Sequence, residues 1–152
     1  MAPRVLVIGA GMIVHDQLLP SLYHLQRQEV IRDITICGTR ASSIRALHDN
    51  AELREAFPKQ TFHGMPDPSD DTGGSQPDLY RKALAEMHPG DVAVIAIPDA
   101  LHFDVQMEVI RKGLHTCIVK PLAQTHAHAE AIGKAAYDAG VFVGIEYHKR
   151  FD

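Results

Sequence analysis

The sequence predicts an α/β domain, a doubly wound parallel sheet of about six strands with helices on both faces. Three observations predict it. Short apolar, β-rich runs alternate with stretches of helical periodicity along the whole chain. The runs Val5–Ile8 and Val92–Ile97 are unbroken rather than alternating, as strands covered on both faces require. The first run passes directly into Gly9-Ala10-Gly11, the composition of a tight turn from a buried strand into a helix.

Taken in order, Val5–Ile8 is the first strand. Met12, Leu18, Leu19, Leu22 and Leu25 recur at roughly helical spacing, with Pro20 inside as a kink or irregularity. Ile34–Gly38 is a second β-rich run, and Ala41–Phe57 reads as one helix stopped by Pro58. Gln60–His63 is a short third strand. Pro66–Pro77, crowded with Asp, Gly, Ser and Pro, reads as an exposed, inserted loop. Asp78–Met87 is a short helix closed by Pro89-Gly90, and Val92–Ile97 is the central strand. A helix over Phe103–Lys112 ends at Gly113, and Thr116–Val119 is the fifth strand. Thr125–Ala139 is helical with Gly140 at its end, and Val141–Tyr147 closes the series as the sixth strand. With right-handed crossovers this alternation makes a parallel sheet.

The chain has 152 residues, 45% of them hydrophobic, and a formal net charge of −4. That allows one well-formed core. The mild acidity offers no basic surface for nucleic acid, and no apolar run approaches the ~20 residues that span a bilayer. Met1-Ala2-Pro3-Arg4 leads straight into the first strand without a signal-peptide apolar region, which points to a cytoplasmic setting. Cys37 and Cys117 lie in apolar strand-like runs and read as buried, reduced thiols. His126 and His128 are two apart on a predicted helix and face different directions, so no metal site is expected.

In an open parallel sheet, ligands bind beyond the carboxyl ends of the strands. After the first strand, Gly9 supplies backbone angles that a Cβ forbids. Gly11 allows close approach of a pyrophosphate, whose charge is met by amides of the helix start around Met12 and Ile13. The third position of the glycine fingerprint is Val14 rather than Gly or Ala, so helix and strand must sit further apart or pack differently. After the second strand, Gly38-Thr39-Arg40 carries no acid. A carboxylate there would hold the ribose hydroxyls of NAD, whereas Thr39 can donate a hydrogen bond and Arg40 offers a planar cationic fork to a 2′-phosphate. NADP is favoured, with NAD possible.

The fourth strand ends in Ile97-Pro98-Asp99-Ala100-Leu101-His102 and the fifth in Val119-Lys120-Pro121-Leu122-Ala123. With the glycine turn and the closing Tyr147-His148-Lys149-Arg150-Phe151, these segments resemble the Gfo/Idh/MocA family, named for glucose-fructose oxidoreductase and inositol dehydrogenase. The resemblance implies a Rossmann domain over residues 1–147 that binds NAD(P), followed at 148–152 by the start of a linker. It implies that Lys120 is the catalytic residue, binding substrate and polarising or protonating the reacting oxygen, a role an ammonium suits. It also implies that Pro98 and His102 line the cofactor cleft near the nicotinamide, with Ile97, Lys120 and Pro121 among the cofactor-binding residues. Two departures are plain: Val119 stands where the family has an acid, and Asp99 where it has Asn. His102 as a cap of the following helix is the competing reading.

The function implied is hydride transfer between a nicotinamide cofactor and a sugar, polyol or related hydroxy/oxo compound. The chain then represents the cofactor-binding half of a homo-oligomeric enzyme whose second domain completes the pocket, and is inactive alone. A stand-alone NADP-binding sensor or regulatory module is the alternative. A methyltransferase using S-adenosylmethionine is disfavoured, because it too wants an acid after the second strand.

Overall fold

The computed structural model describes residues 2–70 and 73–147. Its sheet has six parallel strands: β1 (Val5–Ile8), β2 (Ile34–Cys37), β3 (His63–Met65), β4 (Val92–Ile95), β5 (His115–Val119) and β6 (Val143–Glu146). Their spatial order is β3-β2-β1-β4-β5-β6, with Val5 opposite Ile34 on one side and Val92 on the other. This is the doubly wound fold expected from the sequence. The chain winds outward from β1 to β3 and then restarts on the other side at β4, so the order reverses between β1 and β4.

Helices cover both faces, which is why all four residues of β1 are apolar and buried. Val5 and Val7 pack against α1 (Leu19–Arg27), α2 (Ala41–His48) and α3 (Ala51–Ala56) through Leu22, Ile44 and Leu53. Leu6 and Ile8 face α4 (Leu79–Ala85) and α5 (His102–Arg111) through Ala83, Val105 and Val109. A third cluster joins α5 to α6 (His126–Ala139) through Ile110, Ile132 and Ala136. Each fully buried Val, Leu or Ile contributes about 1.5–3 kcal/mol. At the amino end of the sheet, Arg4 donates from Nε and Nη2 to Asp91 Oδ2 at 3.0 and 2.7 Å, tying the entry of β1 to that of β4.

Three elements depart from the sequence expectation. The helix expected over Ala41–Phe57 is two helices, because the Asn50 side chain accepts a hydrogen bond from Leu53 N–H at 3.0 Å and starts α3 afresh. The third strand is His63–Met65, not Gln60–His63. Gln26 takes both backbone groups of Thr61 with its side-chain amide, at 3.1 and 3.2 Å, so ladder pairing begins only at His63, opposite Thr35. A Cβ on Gly64 of β3 would lie 2.3 Å from Ile44 Cγ2, so α2 packs closely there. Finally, the helix after the glycine turn passes through a π-helical turn, Val14–Leu18, before α1. The wider turn accommodates Val14, which is fully buried. Pro20 falls in the first turn of α1, just past that junction, where its missing N–H is tolerated.

Candidate active site in the crevice between the central strands

Strand order reverses between β1 and β4, and a crevice opens there at the carboxyl ends. Its walls follow from the glycines. Gly9 has φ +120°, and a Cβ on it would lie 2.0 Å from the carbonyl oxygen of Ala96, at the end of β4. Only glycine lets the two strand ends close to this distance while Ala96 N–H still donates to Ile8 C=O at 2.8 Å. A Cβ on Gly11, by contrast, would meet nothing within 4 Å. That open cradle, above the N–H groups with which the helix begins at Met12 and Ile13, suits a pyrophosphate. Met12 is 80% exposed, so its side chain leaves the cradle clear.

Gly38 is buried against Ala10, and Thr39 and Arg40 project outward beyond β2. Gly9, Gly38, Thr39, Ile97, Pro98 and Leu101 share a cavity of about 90 Å3. Gln76, Pro77 and Tyr80 also line it. They come from the loop read as an exposed insertion and from α4, and no local sequence signal marks them. The loop is held by Gln76 N–H donating to Thr39 C=O at 2.8 Å and by Arg40 Nη1 donating to Gly73 C=O at 3.3 Å.

Beside Arg40 lies a hollow of about 180 Å3 that Ser42, Arg45, Asp70, Gly73 and Gly74 also line. The sequence shows no acid directly after β2, but the loop brings Asp70 to this rim. Two guanidinium groups and the start of α2 therefore stand against one carboxylate.

At β4 and β5 the structure corrects one expectation. His102 does not line the cleft and does not cap α5 with its side chain: it is fully buried. Its Nδ1 lies 2.6 Å from Pro121 C=O and its Nε2 2.9 Å from Ile97 C=O. Both partners are carbonyl oxygens, so a ring nitrogen that carries hydrogen donates to the one it faces. The ring is a clamp behind the wall, joining the ends of β4 and β5 next to Lys120. Lys120 is exposed at the end of β5, with no hydrogen bond or ion pair to the described residues. Its ammonium is free to meet a substrate. Ile97 is half-buried and Pro98 exposed on the same rim, while Pro121 is half-buried beyond β5.

The thiols are chemically quiet. Burial pushes Cys37 up to about 11 and also raises Cys117, helped by Glu146. His128 stacks on Phe103 with ring centroids 3.9 Å apart, and His126 sits 3.4 Å from Glu130. Among the described residues no three potential ligands gather for a metal, and no helix is long and apolar enough to cross a membrane. His148–Asp152, which carry the end of the family resemblance and the expected linker, lie outside the described residues.

Comparison with known proteins agrees with this geometry. The chain is 27% identical over 62 residues to the NADP+-dependent scyllo-inositol 2-dehydrogenase of Bacillus subtilis, a match covering 41% of this chain and 17% of that protein. The WlbA dehydrogenase of Bordetella pertussis, solved with NADH and UDP-GlcNAcA, superposes on all of this chain with a TM-score of 0.67 at 22% identity. The 3-ketoreductase KijD10 of Actinomadura kijaniata, solved with NADP and TDP-benzene, covers 96% of it with a TM-score of 0.67 at 20% identity. The chain spans only 40% and 37% of those two structures. Residues 3–147 match the Gfo/Idh/MocA oxidoreductase family through its NAD-binding Rossmann fold, and the chain belongs to that family.

Proposed function

We propose that this chain is the cofactor-binding part of an NAD(P)-dependent oxidoreductase acting on a sugar, polyol or related hydroxy/oxo compound. The observation that carries the reading is the β1–β4 crevice, where Gly9 draws the strand ends together and Gly11 leaves the helix start open. Bound there, the cofactor would give or accept a hydride at the substrate carbon. Gly11, Met12 and Ile13 would hold the pyrophosphate by backbone N–H groups. Thr39 and the pocket under Pro77 and Leu101 would receive the adenosine. Arg40 and Ser42 would bind a 2′-phosphate, which favours NADP over NAD.

Lys120 would donate a hydrogen bond to the reacting oxygen, stabilising the charge that grows there as hydride reaches the carbon. Its unpaired ammonium favours catalysis over a purely regulatory nucleotide-binding module, which has no use for it. The sugar-related substrate class rests on the relatives: one is named for an inositol, and another was solved with a nucleotide sugar. A cytoplasmic homo-oligomer whose second domain completes the pocket is the setting this implies.

The test is hydride transfer, followed by nicotinamide absorbance, in a form that carries the substrate domain. Lys120→Ala should cut kcat by at least about a hundredfold. Unchanged turnover would remove Lys120 from the chemistry.

A further inference from the structure

We infer that the hollow between α1, α3 and the chain entering β3 is a second ligand site, separate from the crevice, for a small ring-bearing organic anion such as a carboxylate or phosphate ester. The segment Phe57–Thr61 leads into the amino end of β3, so this hollow lies toward the opposite end of the strands from the cofactor cleft. Its volume is about 410 Å3, against about 90 Å3 for the cavity beside Gly9. Small-molecule sites commonly fall at about 300–1,000 Å3.

The chemistry of the lining selects the ligand. Leu47, Leu53, Phe57 and Pro58 provide apolar wall. The charged or titratable side chains that line it are Arg54, Lys59, His48 and Tyr23, and no carboxylate does. Tyr23 is 7% exposed, yet its hydroxyl has no hydrogen-bond partner among the described residues. The hydroxyl oxygen is not sealed off, so it can donate to a ligand that enters the hollow. Burial also raises its pKa to about 12, which keeps it a donor. Lys59 has no ion pair among the described residues. Arg54 uses Nη2 on the carbonyl of Asp49 at 3.1 Å, leaving most of its fork available. His48 is stacked on Phe62 at 4.1 Å and held in place.

Cationic side chains without a carboxylate, over an apolar floor, match an anion attached to a ring. A cation would be repelled, and a neutral hydrocarbon would leave the Tyr23 hydroxyl unsatisfied. The site is also preformed: Tyr23 and Phe57 pack at 5.6 Å, and Arg27 lies over the other ring at 5.4 Å from its centroid. None of these residues belongs to the crevice, so the inference stands apart from the cofactor reading.

The experiment is an NMR titration of the 15N-labelled 152-residue chain with benzoate and with phenyl phosphate, using benzylamine as the cationic counterpart. Saturable shifts of the Tyr23, Leu53, Phe57 and Thr61 amides with at least one anion, and none with benzylamine, are expected. Tyr23→Phe removes only an unpartnered hydroxyl and should leave the fold intact while weakening the anion about tenfold. Lys59→Gln, at an exposed position, should weaken it further. Absence of saturable shifts at these amides, equal response to benzylamine, or affinity unchanged in both variants would overturn the assignment. Shifts confined to Arg40 and Gly73 would report the other anion hollow and count against it as well.

Discussion

Replacing Gly9 by alanine places a Cβ 2.0 Å from the Ala96 carbonyl oxygen and 2.8 Å from its carbon, on a residue whose φ is +120°. A non-bonded carbon–oxygen contact relaxes at about 3.3 Å, so the ends of β1 and β4 must move apart by more than an ångström. That displacement loses the Ala96 N–H to Ile8 C=O bond, 2.8 Å long, at a cost of about 1 kcal/mol. Holding alanine at this φ costs a further ~1–3 kcal/mol, and residual crowding adds to it. The total is about 3–5 kcal/mol from a domain whose stability is about 5–15 kcal/mol, equivalent to a fall in Tm of about 10–15 °C. Gly11→Ala is the matched control, because its Cβ meets nothing within 4 Å. It should keep the wild-type midpoint within about 0.5 kcal/mol yet weaken NADP+ at least about tenfold, since the methyl stands where the pyrophosphate must approach. Urea unfolding followed by circular dichroism measures the first effect and calorimetric titration the second. A Gly9→Ala protein within about 1 kcal/mol of wild type would refute the account of the turn.

Other substitutions test other parts. Asp91→Asn breaks the link to Arg4 and should cost about 2–4 kcal/mol at pH 7, read from urea midpoints. Burial raises the Asp91 pKa, but bonds from Arg4 and the His88 amide outweigh it and hold the carboxyl below its ordinary value. Its contribution is therefore present above about pH 4 and disappears as pH falls through the lowered folded value, so wild type and variant should converge in acid. His102→Ala leaves the carbonyls of Ile97 and Pro121 without their partner and should cost about 2–4 kcal/mol; two-dimensional NMR should show the disturbance centred on Lys120 and Pro121. Asn50→Ala removes the cap of α3 and should cost about 1 kcal/mol by thermal unfolding.

How much of this was legible beforehand depends on whether the cause is local. The unbroken apolar runs of β1 and β4 announce burial on both faces, and the Gly9 turn announces the tight strand end, because both depend on a few adjacent residues. Apolar residues continue past Asn50, but Leu53 falls about 120° round an ideal helix from Leu47, and the side-chain bond to Leu53 N–H marks where the second helix starts. β3 starts later than its sequence pattern suggests because Gln26, far away in sequence, takes the backbone of Thr61. Tertiary folding likewise brings Gln76 and Pro77 over Thr39 and Asp70 beside Arg40. His102 shows the limit of reading a site by its position after a strand: the residue belongs to the right place but turns inward, where two carbonyls need it.

The most direct test of the central claim is calorimetric titration of the folded chain with NADP+ and with NAD+ at matched ionic strength, repeated on Arg40→Ala. Saturable one-site binding, tighter for NADP+ and losing that preference with Arg40, is the expected result. Absence of binding to either dinucleotide, by a sample with a cooperative unfolding transition, would contradict the assignment of the β1–β4 crevice as a cofactor site.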